Sequence, residues 1–188
     1  MKNFLKIAAG LDVLPLLHAV QTRQDLWNKR RWRTTYDGTP HADVDDIWLR
    51  YSDEAATHDP TRLDGVVNDT RPIFYPEWND LPQARPLVFG MMARLQAYEL
   101  GRVLITRLRP GGRILPHADA AGDYTDQADG GRYHVVLSAR PGSLFRAGDE
   151  TVQMQPGEAW WFNHLAEHEV INNGADDRIH LLIDTRNA

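Results

Sequence analysis

The chain has 188 residues and a net charge of -5, and 42% of its residues are hydrophobic. These are ordinary globular values, with enough chain for one domain and a buried core. The acidic balance gives no electrostatic reason to expect nucleic acid or an anionic membrane as a partner.

Cysteine is absent, which excludes disulfides and thiolate ligands, so any metal site must use histidine and carboxylate. No apolar run reaches the roughly 18 residues of a membrane span. The basic start at Lys2 and Lys6 is not followed by a cleavage site, so a cytoplasmic protein is expected. The basic run from Lys29 to Arg33 could meet an anionic partner, but such a run is more often a solvated face at a helix end.

The first part of the chain, residues 1–101, is expected to be helical or irregular and to pack on the rest of a single domain, 1–188. Leucine and valine recur at helical spacing from Leu11 to Leu26 and predict a first helix. Asp12 is its expected N-cap, with Pro15 in the first turn.

Beyond that helix the pattern is mixed. Ile47 to Tyr51 predicts a short strand, and the polar stretch from Asp53 to Asp69 predicts a loop. Apolar residues from Pro86 to Leu100, with Tyr98 on the buried face, predict a second helix that ends at Gly101.

From residue 102 to residue 188 short β-branched and aromatic runs alternate with turn signals. This pattern is typical of a mainly β sandwich, jelly roll or barrel. Gly148-Asp149 predicts the turn of a hairpin. The predicted strands are Val103–Leu108, Tyr133–Leu137, Ser143–Arg146, Thr151–Met154, Ala159–Phe162, His168–Ile171 and Ile179–Asp184.

His117 and Asp119 are two residues apart, so in an extended segment their side chains point to the same side and can reach one ion. A second histidine from a later strand would complete a set of two imidazoles and one carboxylate. Such a set leaves positions open on the metal and is typical of non-haem Fe(II) sites. His168, on the face of a β-branched run, is the preferred third ligand, and His164 is the alternative.

Arginine and histidine alternate on two predicted strands, as Arg132 with His134 and Arg178 with His180. Inward polar residues on a buried strand are costly unless they have partners, so the recurrence indicates a polar interior cavity. Arg178 could form a bidentate pair with a ligand carboxylate. A surface position beside two aspartates is equally compatible with the spacing.

The stretch from about Thr106 to Asp184 resembles the aspartyl/asparaginyl β-hydroxylase family of iron- and 2-oxoglutarate-dependent oxygenases. It is also similar to the bacterial free L-proline hydroxylases, which share the two Arg-x-His pairs. The resemblance rests on the order, spacing and number of the motifs together. The matching segments are Leu108–Gly112, Pro116–Asp119, Arg132–Leu137, Pro156–Glu158, Glu167–Val170 with Asn172, and Arg178 with the run to Asp184.

This resemblance implies a double-stranded β-helix, a jelly roll of the cupin type, with flanking N-terminal helices. It implies His117, Asp119 and His168 as the iron ligands. Fe(II) is then the cofactor, and 2-oxoglutarate and O2 are the co-substrates.

The resemblance also implies how 2-oxoglutarate is held. Arg178 would bind its distal carboxylate, with Thr106 as a hydroxyl donor. Arg132 and His134 match positions that contact the carboxylate next to the metal.

We therefore expect a hydroxylase that oxidises an unactivated C–H bond of a free amino acid or a protein side chain and releases succinate and CO2. A non-catalytic, metal-binding sensor of cupin type is the alternative, and it would not need Arg178. A different metal enzyme on the same fold would not consume 2-oxoglutarate. Asp46, Arg50 and Arg71 are candidate substrate contacts, although surface salt bridges are the more common role of such residues.

Overall fold

The structure is a computed structural model that describes residues 1–53, 72–119 and 130–188. These residues form short β-strands and a few helices. The strands are β1 (Phe4–Ala8), β2 (Val44–Ser52), β3 (Pro72–Phe74), β4 (Ala97–Leu108), β5 (Arg113–His117), β6 (Gly130–Ser138), β7 (Ser143–Ala147), β8 (Glu150–Val152), β9 (Ala159–Phe162), β10 (His168–Asn172) and β11 (Arg178–Asn187).

The strands form two antiparallel sheets. One has seven strands in the order β1-β9-β6-β11-β4-β2-β3, and the other has four in the order β5-β10-β7-β8. Side chains from both sheets share one apolar cluster, so the sheets face each other. The predicted mainly β, double-stranded β-helix fold is confirmed.

The helices lie against the outer face of the seven-stranded sheet. Leu16 and Val20 from the first helix and Met91 from the last pack in one cluster with Ile105 of β4 and Leu181 of β11. Burial of each such side chain contributes about 1.5–3 kcal/mol. The helices are α1 (Leu14–Thr22), α2 (Trp32–Thr35), α3 (Glu77–Asp80) and α4 (Ala84–Leu95), with a 3-10 turn at Gln24–Leu26.

The inner faces of the two sheets enclose a second, aromatic cluster. Phe145 of β7 lies 5.4 Å from Phe4 and 4.7 Å from Phe162, measured between ring centroids. Because side chains alternate along a strand, the same inner faces also present the polar residues of β6 and β11. This interior carries the candidate site.

The N-terminal segment differs from its prediction in two ways. Residues 4–8 form a strand that pairs with β9, with Phe4 opposite Phe162, although no pattern in the sequence predicted it. The first helix begins after Val13 rather than Asp12, and no side chain caps it, although Pro15 does lie in its first turn.

The second predicted helix ends earlier than its pattern indicated. Gln96 takes a left-handed conformation with φ of 53° and ends α4, so Gly101 is not the stop. Residues 97–100 then extend β4 and pair with the end of β11. Tyr98 is therefore exposed rather than buried. The predicted helix was wrong here because long-range strand pairing outweighs local helical spacing.

The expected division at residue 101 falls inside β4, and β1, β2 and β3 all belong to the seven-stranded sheet. Except for Asp53, the predicted loop from Asp53 to Asp69 lies outside the described residues, as does Arg71. In the described part of the chain, no helix has the length and apolar character of a membrane span.

Candidate metal and co-substrate site

The structure brings His117, Asp119 and His168 together at the edge of the four-stranded sheet. One donor atom from each lies within 4.8 Å of the other two. His117 ends β5 and pairs directly with His168, the first residue of β10, and their ring centroids are 4.2 Å apart. Strand pairing thus joins residues that are far apart in the sequence.

Both imidazoles present the same nitrogen to this cluster. His117 Nδ1 lies 2.8 Å from the carbonyl of Leu115, and His168 Nδ1 lies 3.0 Å from the carbonyl of Ala166. A carbonyl can only accept, so each Nδ1 carries the proton and each Nε2 is left with a free lone pair. Burial lowers the pKa of His168 to about 4, which keeps that lone pair available at neutral pH.

The carboxylate of Asp119 is held in a defined orientation. Its Oδ1 lies 3.8 Å from His117 Nε2, while its Oδ2 accepts a hydrogen bond from Nη1 of Arg132. The backbone N–H of Asp119 donates to the carbonyl of His164 at 3.1 Å. His164 therefore supports Asp119 through its backbone, and the described cluster contains His168 instead.

Arg132 of β6 joins Asp119 to a second carboxylate. Its Nε and Nη2 each donate to Asp184 of β11 at 2.9 Å, and Asp184 is only 1% exposed. The bidentate pair fixes the guanidinium, which in turn fixes the carboxylate of Asp119. The co-substrate contact expected for Arg132 stays a prediction. Asp184 ends the last segment that resembles the family, but the sequence did not indicate this role.

Arg178, the first residue of β11, is buried at 3% exposure. Its guanidinium lies 5.7 Å from the ring centroid of Phe145. Its Nη2 is buried without a hydrogen-bond partner, and no carboxylate of the described residues perturbs it. Burial lowers its pKa well below the usual arginine value, to about 9. A buried cation of this kind needs an anion, so the surface alternative for Arg178 is wrong.

The remaining predicted residues lie on the same inner wall. His134 of β6 and His180 of β11 are buried with their Nδ1 atoms 3.2 Å apart. Thr106 of β4 is buried and pairs with His180 in the strand register. The two Arg-x-His pairs therefore do line an interior, as their alternation predicted.

His41 is a site residue that the sequence did not indicate. Its ring lies 4.9 Å from that of His117 in an edge-on arrangement, and a hydrogen bond from Leu115 to the carbonyl of Pro40 holds its segment beside β5. Its Nδ1 is buried and has no partner among the described residues. Burial, then the charge of Arg33, lowers the pKa of His41 well below its usual value. His41 lies in a turn without periodicity, so no pattern could have singled it out.

Two of the candidate substrate contacts, Asp46 and Arg50, have partners within the protein, and Arg50 Nε donates to the carbonyl of Leu100 at 3.2 Å. Arg33 of α2 makes two hydrogen bonds of 2.8 Å to Asp46 of β2, and the Asp46 side chain is 1% exposed. Arg30 and Lys29 pair with the buried Glu77 at 3.0 and 3.5 Å. Arg30 and Arg33 are thus turned towards internal carboxylates, while Lys29 and Arg31 stay exposed, so the run is a solvated face only in part.

The donor set fits a first-row metal ion. One donor atom from each of the three residues lies within 4.8 Å of the other two, so all three can reach one ion. Two neutral imidazoles and one carboxylate suit Fe(II) and leave positions for other ligands. A metal here with the buried cation of Arg178 on the neighbouring wall suits an anionic co-substrate that chelates the metal.

The fold is shared with solved oxygenases. An oxidoreductase of the 2OG-Fe(II) oxygenase family from Burkholderia pseudomallei is 16% identical, with a TM-score of 0.55 over 78% of this chain and 69% of that one. The viral collagen prolyl hydroxylase of Paramecium Bursaria Chlorella virus-1 is 13% identical, with a TM-score of 0.54 over 100% and 97%. A prolyl-4-hydroxylase from Pseudomonas putida is 16% identical, with a TM-score of 0.52 over 100% and 94%.

A comparison with curated proteins found no match. Residues 75–188, well over half of the chain, match the Aspartyl/Asparaginyl beta-hydroxylase family. This match confirms the expected oxidoreductase class and, with the three-ligand cluster, the expected need for Fe(II), 2-oxoglutarate and O2. The chain belongs to the aspartyl/asparaginyl β-hydroxylase family.

Proposed function

We propose that this protein hydroxylates a C–H bond of a free amino acid or of an amino-acid side chain in a polypeptide. The reaction converts substrate, 2-oxoglutarate and O2 into hydroxylated substrate, succinate and CO2. The observation that carries the proposal is Arg178, a buried cation with no carboxylate partner among the described residues, on the wall beside the three-ligand cluster. A metal-binding sensor would have no use for this destabilising charge.

In this proposal His117, Asp119 and His168 hold Fe(II). The bound iron supplies activation of O2, with 2-oxoglutarate as the source of electrons. The protein keeps both Nε2 atoms unprotonated through the carbonyls on Nδ1. Arg132 keeps one oxygen of Asp119 occupied so that the other faces the metal position.

Arg178 and Thr106 would bind the distal carboxylate of 2-oxoglutarate, and His134 would donate to the carboxylate beside the metal. A charge-assisted pair in a dry interior is worth more than a surface pair because solvent screening is weak there. The aromatic rings of Phe145 and Phe162 beside His134 exclude water from this wall.

The substrate would reach the metal from the side of His41. Its unpartnered Nδ1 beside the His117 ring offers one hydrogen bond to a polar group of an amino acid or peptide. The nearby Arg33–Asp46 pair supplies a rigid wall, because both groups are already satisfied by each other. Asp/Asn-type hydroxylation and hydroxylation of a free amino acid both stay within this proposal.

A succinate assay tests the function. Anaerobically purified protein is loaded with Fe(II) and 2-oxoglutarate, O2 is admitted, and succinate is followed with a panel of free amino acids and peptides. We expect succinate above background, stimulated by the true substrate, which gains one oxygen atom by mass spectrometry. Absence of both stimulated and uncoupled succinate formation would refute the proposal and favour the sensor.

A further inference from the structure

His134 and His180 form a buried pair on adjacent strands of the seven-stranded sheet. Their Nδ1 atoms are 3.2 Å apart, and the two residues are 6% and 1% exposed. A hydrogen bond between two imidazole nitrogens requires a proton on one and a lone pair on the other. The pair therefore has two arrangements, and in each of them the tautomer of one histidine decides that of the other.

Both imidazoles are neutral in this environment. Burial, followed by the positive charge of Arg178, lowers the pKa of each well below its usual value. The charge of Arg132 acts on His134 in the same direction. Each ring therefore carries one N–H and one lone pair.

The other nitrogen of His180 distinguishes the two arrangements. His180 Nε2 is buried and has no hydrogen-bond partner among the described residues. If His180 Nδ1 accepted the shared proton, Nε2 would carry an N–H with no acceptor. Buried N–H groups without a partner are rarer than buried acceptors without one. The lower-energy arrangement has His180 Nδ1–H donating to His134 Nδ1.

With its Nδ1 accepting, His134 carries its own proton on Nε2. That nitrogen has no hydrogen-bond partner among the described residues either, but it is not sealed from solvent as His180 Nε2 is. Phe145 and Phe162 lie 5.4 and 5.2 Å from the His134 ring and restrict its rotation. The His134 Nε2–H is thus a fixed donor that faces open space.

We infer that His180 is a positioning residue that acts through His134, fixing it as an Nε2–H donor for an anionic ligand in the interior. The identity of that ligand as 2-oxoglutarate rests on the proposed function. With the opposite tautomer, His134 would present a lone pair to a carboxylate and repel it. One hydrogen bond on the far side of the ring therefore decides whether His134 attracts or repels the anion.

The tautomer is tested in the metal-free, ligand-free protein. Long-range ¹H–¹⁵N correlation spectra of the ¹⁵N-labelled full chain show which nitrogen of each histidine is protonated, and His134→Gln identifies the His134 signals. We expect Nε2–H for His134 in the wild type. In H180F, which keeps a ring but removes the donor, we expect His134 to lose its single tautomer and to show a mixture, because no partner then requires a lone pair on Nδ1. In H180N, whose amide N–H can replace Nδ1–H, the wild-type tautomer should return.

Ligand affinity provides the second measurement. Calorimetry with the Zn(II)-substituted protein should show 2-oxoglutarate binding weakened about tenfold in H180F, the lower end of the loss seen when the outer partner of a metal-ligating histidine is removed, and largely restored in H180N. Unfolding midpoints check that each variant is folded.

Two outcomes overturn the inference. One is Nδ1–H on His134 in the wild type, and the other is an H180F variant in which tautomer and affinity are both unchanged. If the wild type binds no 2-oxoglutarate at all, the proposed function fails. The tautomers of wild type and H180F then still decide the positioning role by themselves.

Discussion

The sharpest prediction concerns replacement of Arg178, because this change should stabilise the ligand-free protein and yet weaken co-substrate binding. Burial lowers its pKa well below the usual arginine value, to about 9, and each pKa unit corresponds to about 1.4 kcal/mol. The charge therefore destabilises the ligand-free protein by up to about 5 kcal/mol. Replacing Arg178 by Met removes this cost but also removes the contact with Phe145, worth about 0.5–2 kcal/mol. We expect R178M to be more stable than the wild type by about 2–4 kcal/mol.

The same substitution should abolish co-substrate binding. Hydrogen bonds to a charged group contribute about 1.5–3 kcal/mol each, so loss of a two-pronged contact should weaken 2-oxoglutarate binding at least about a hundredfold. Urea unfolding of the metal-free protein measures the first effect, and calorimetry with Zn(II) and 2-oxoglutarate measures the second. The variant would be stabilised and inactive, as expected for a cation kept for function.

Arg132→Met is the matched control. Arg132 is paired with Asp184 and Asp119, so its removal leaves buried carboxylates without a partner and should destabilise the protein by about 3–5 kcal/mol. If R178M were destabilised as strongly as R132M, the guanidinium of Arg178 would have to stabilise the ligand-free protein through a structural partner, which would refute the reasoning. Retention of 2-oxoglutarate binding by R178M would equally refute the reasoning.

Three further predictions concern the metal cluster, a buried ion pair and acid stability. His168→Ala should abolish binding of Fe(II) or Zn(II) measured by calorimetry, while the exposed His18→Ala should bind as the wild type does. Asp46→Leu should destabilise the protein by about 3–5 kcal/mol because Arg33 is left buried and unpaired. In urea unfolding the double variant R33M/D46L should recover most of this loss, and equal losses in the single and the double variant would contradict the prediction. The folded-state pKa of His180 is depressed by burial, so below about pH 6.5 the unfolded chain binds the proton first. The part of the stability that depends on His180 should be complete above that pH and should fall by up to about 1.4 kcal/mol per unit below it, in addition to similar losses from the other buried histidines. The profile should therefore be less steep in H180F; a flat profile between pH 7 and 5 in the wild type would refute this.

Much of the fold follows from local pattern. The period-2 alternation around Gly148-Asp149 places β7 and β8, because a tight turn fixes the strands on either side of it. The predictions were wrong where pairing between strands that are distant in sequence determines the secondary structure. Phe4 to Ala8 becomes a strand because β9 offers it a free edge, and residues 97–100 leave their helical pattern because they pair with β11.

The candidate site likewise has features that local sequence predicts and features that only tertiary structure determines. The sequence by itself determined that a histidine and a carboxylate two apart point to one side, and that alternating arginine and histidine residues imply a polar interior. Only the tertiary structure decided that His168 rather than His164 faces His117, since that choice depends on the register of β10 against β5. It alone brought His41 and Asp184 to the site, and paired Arg33 with Asp46. Such contacts join residues with no shared periodicity, so the packing of the two sheets determines them and the local sequence does not.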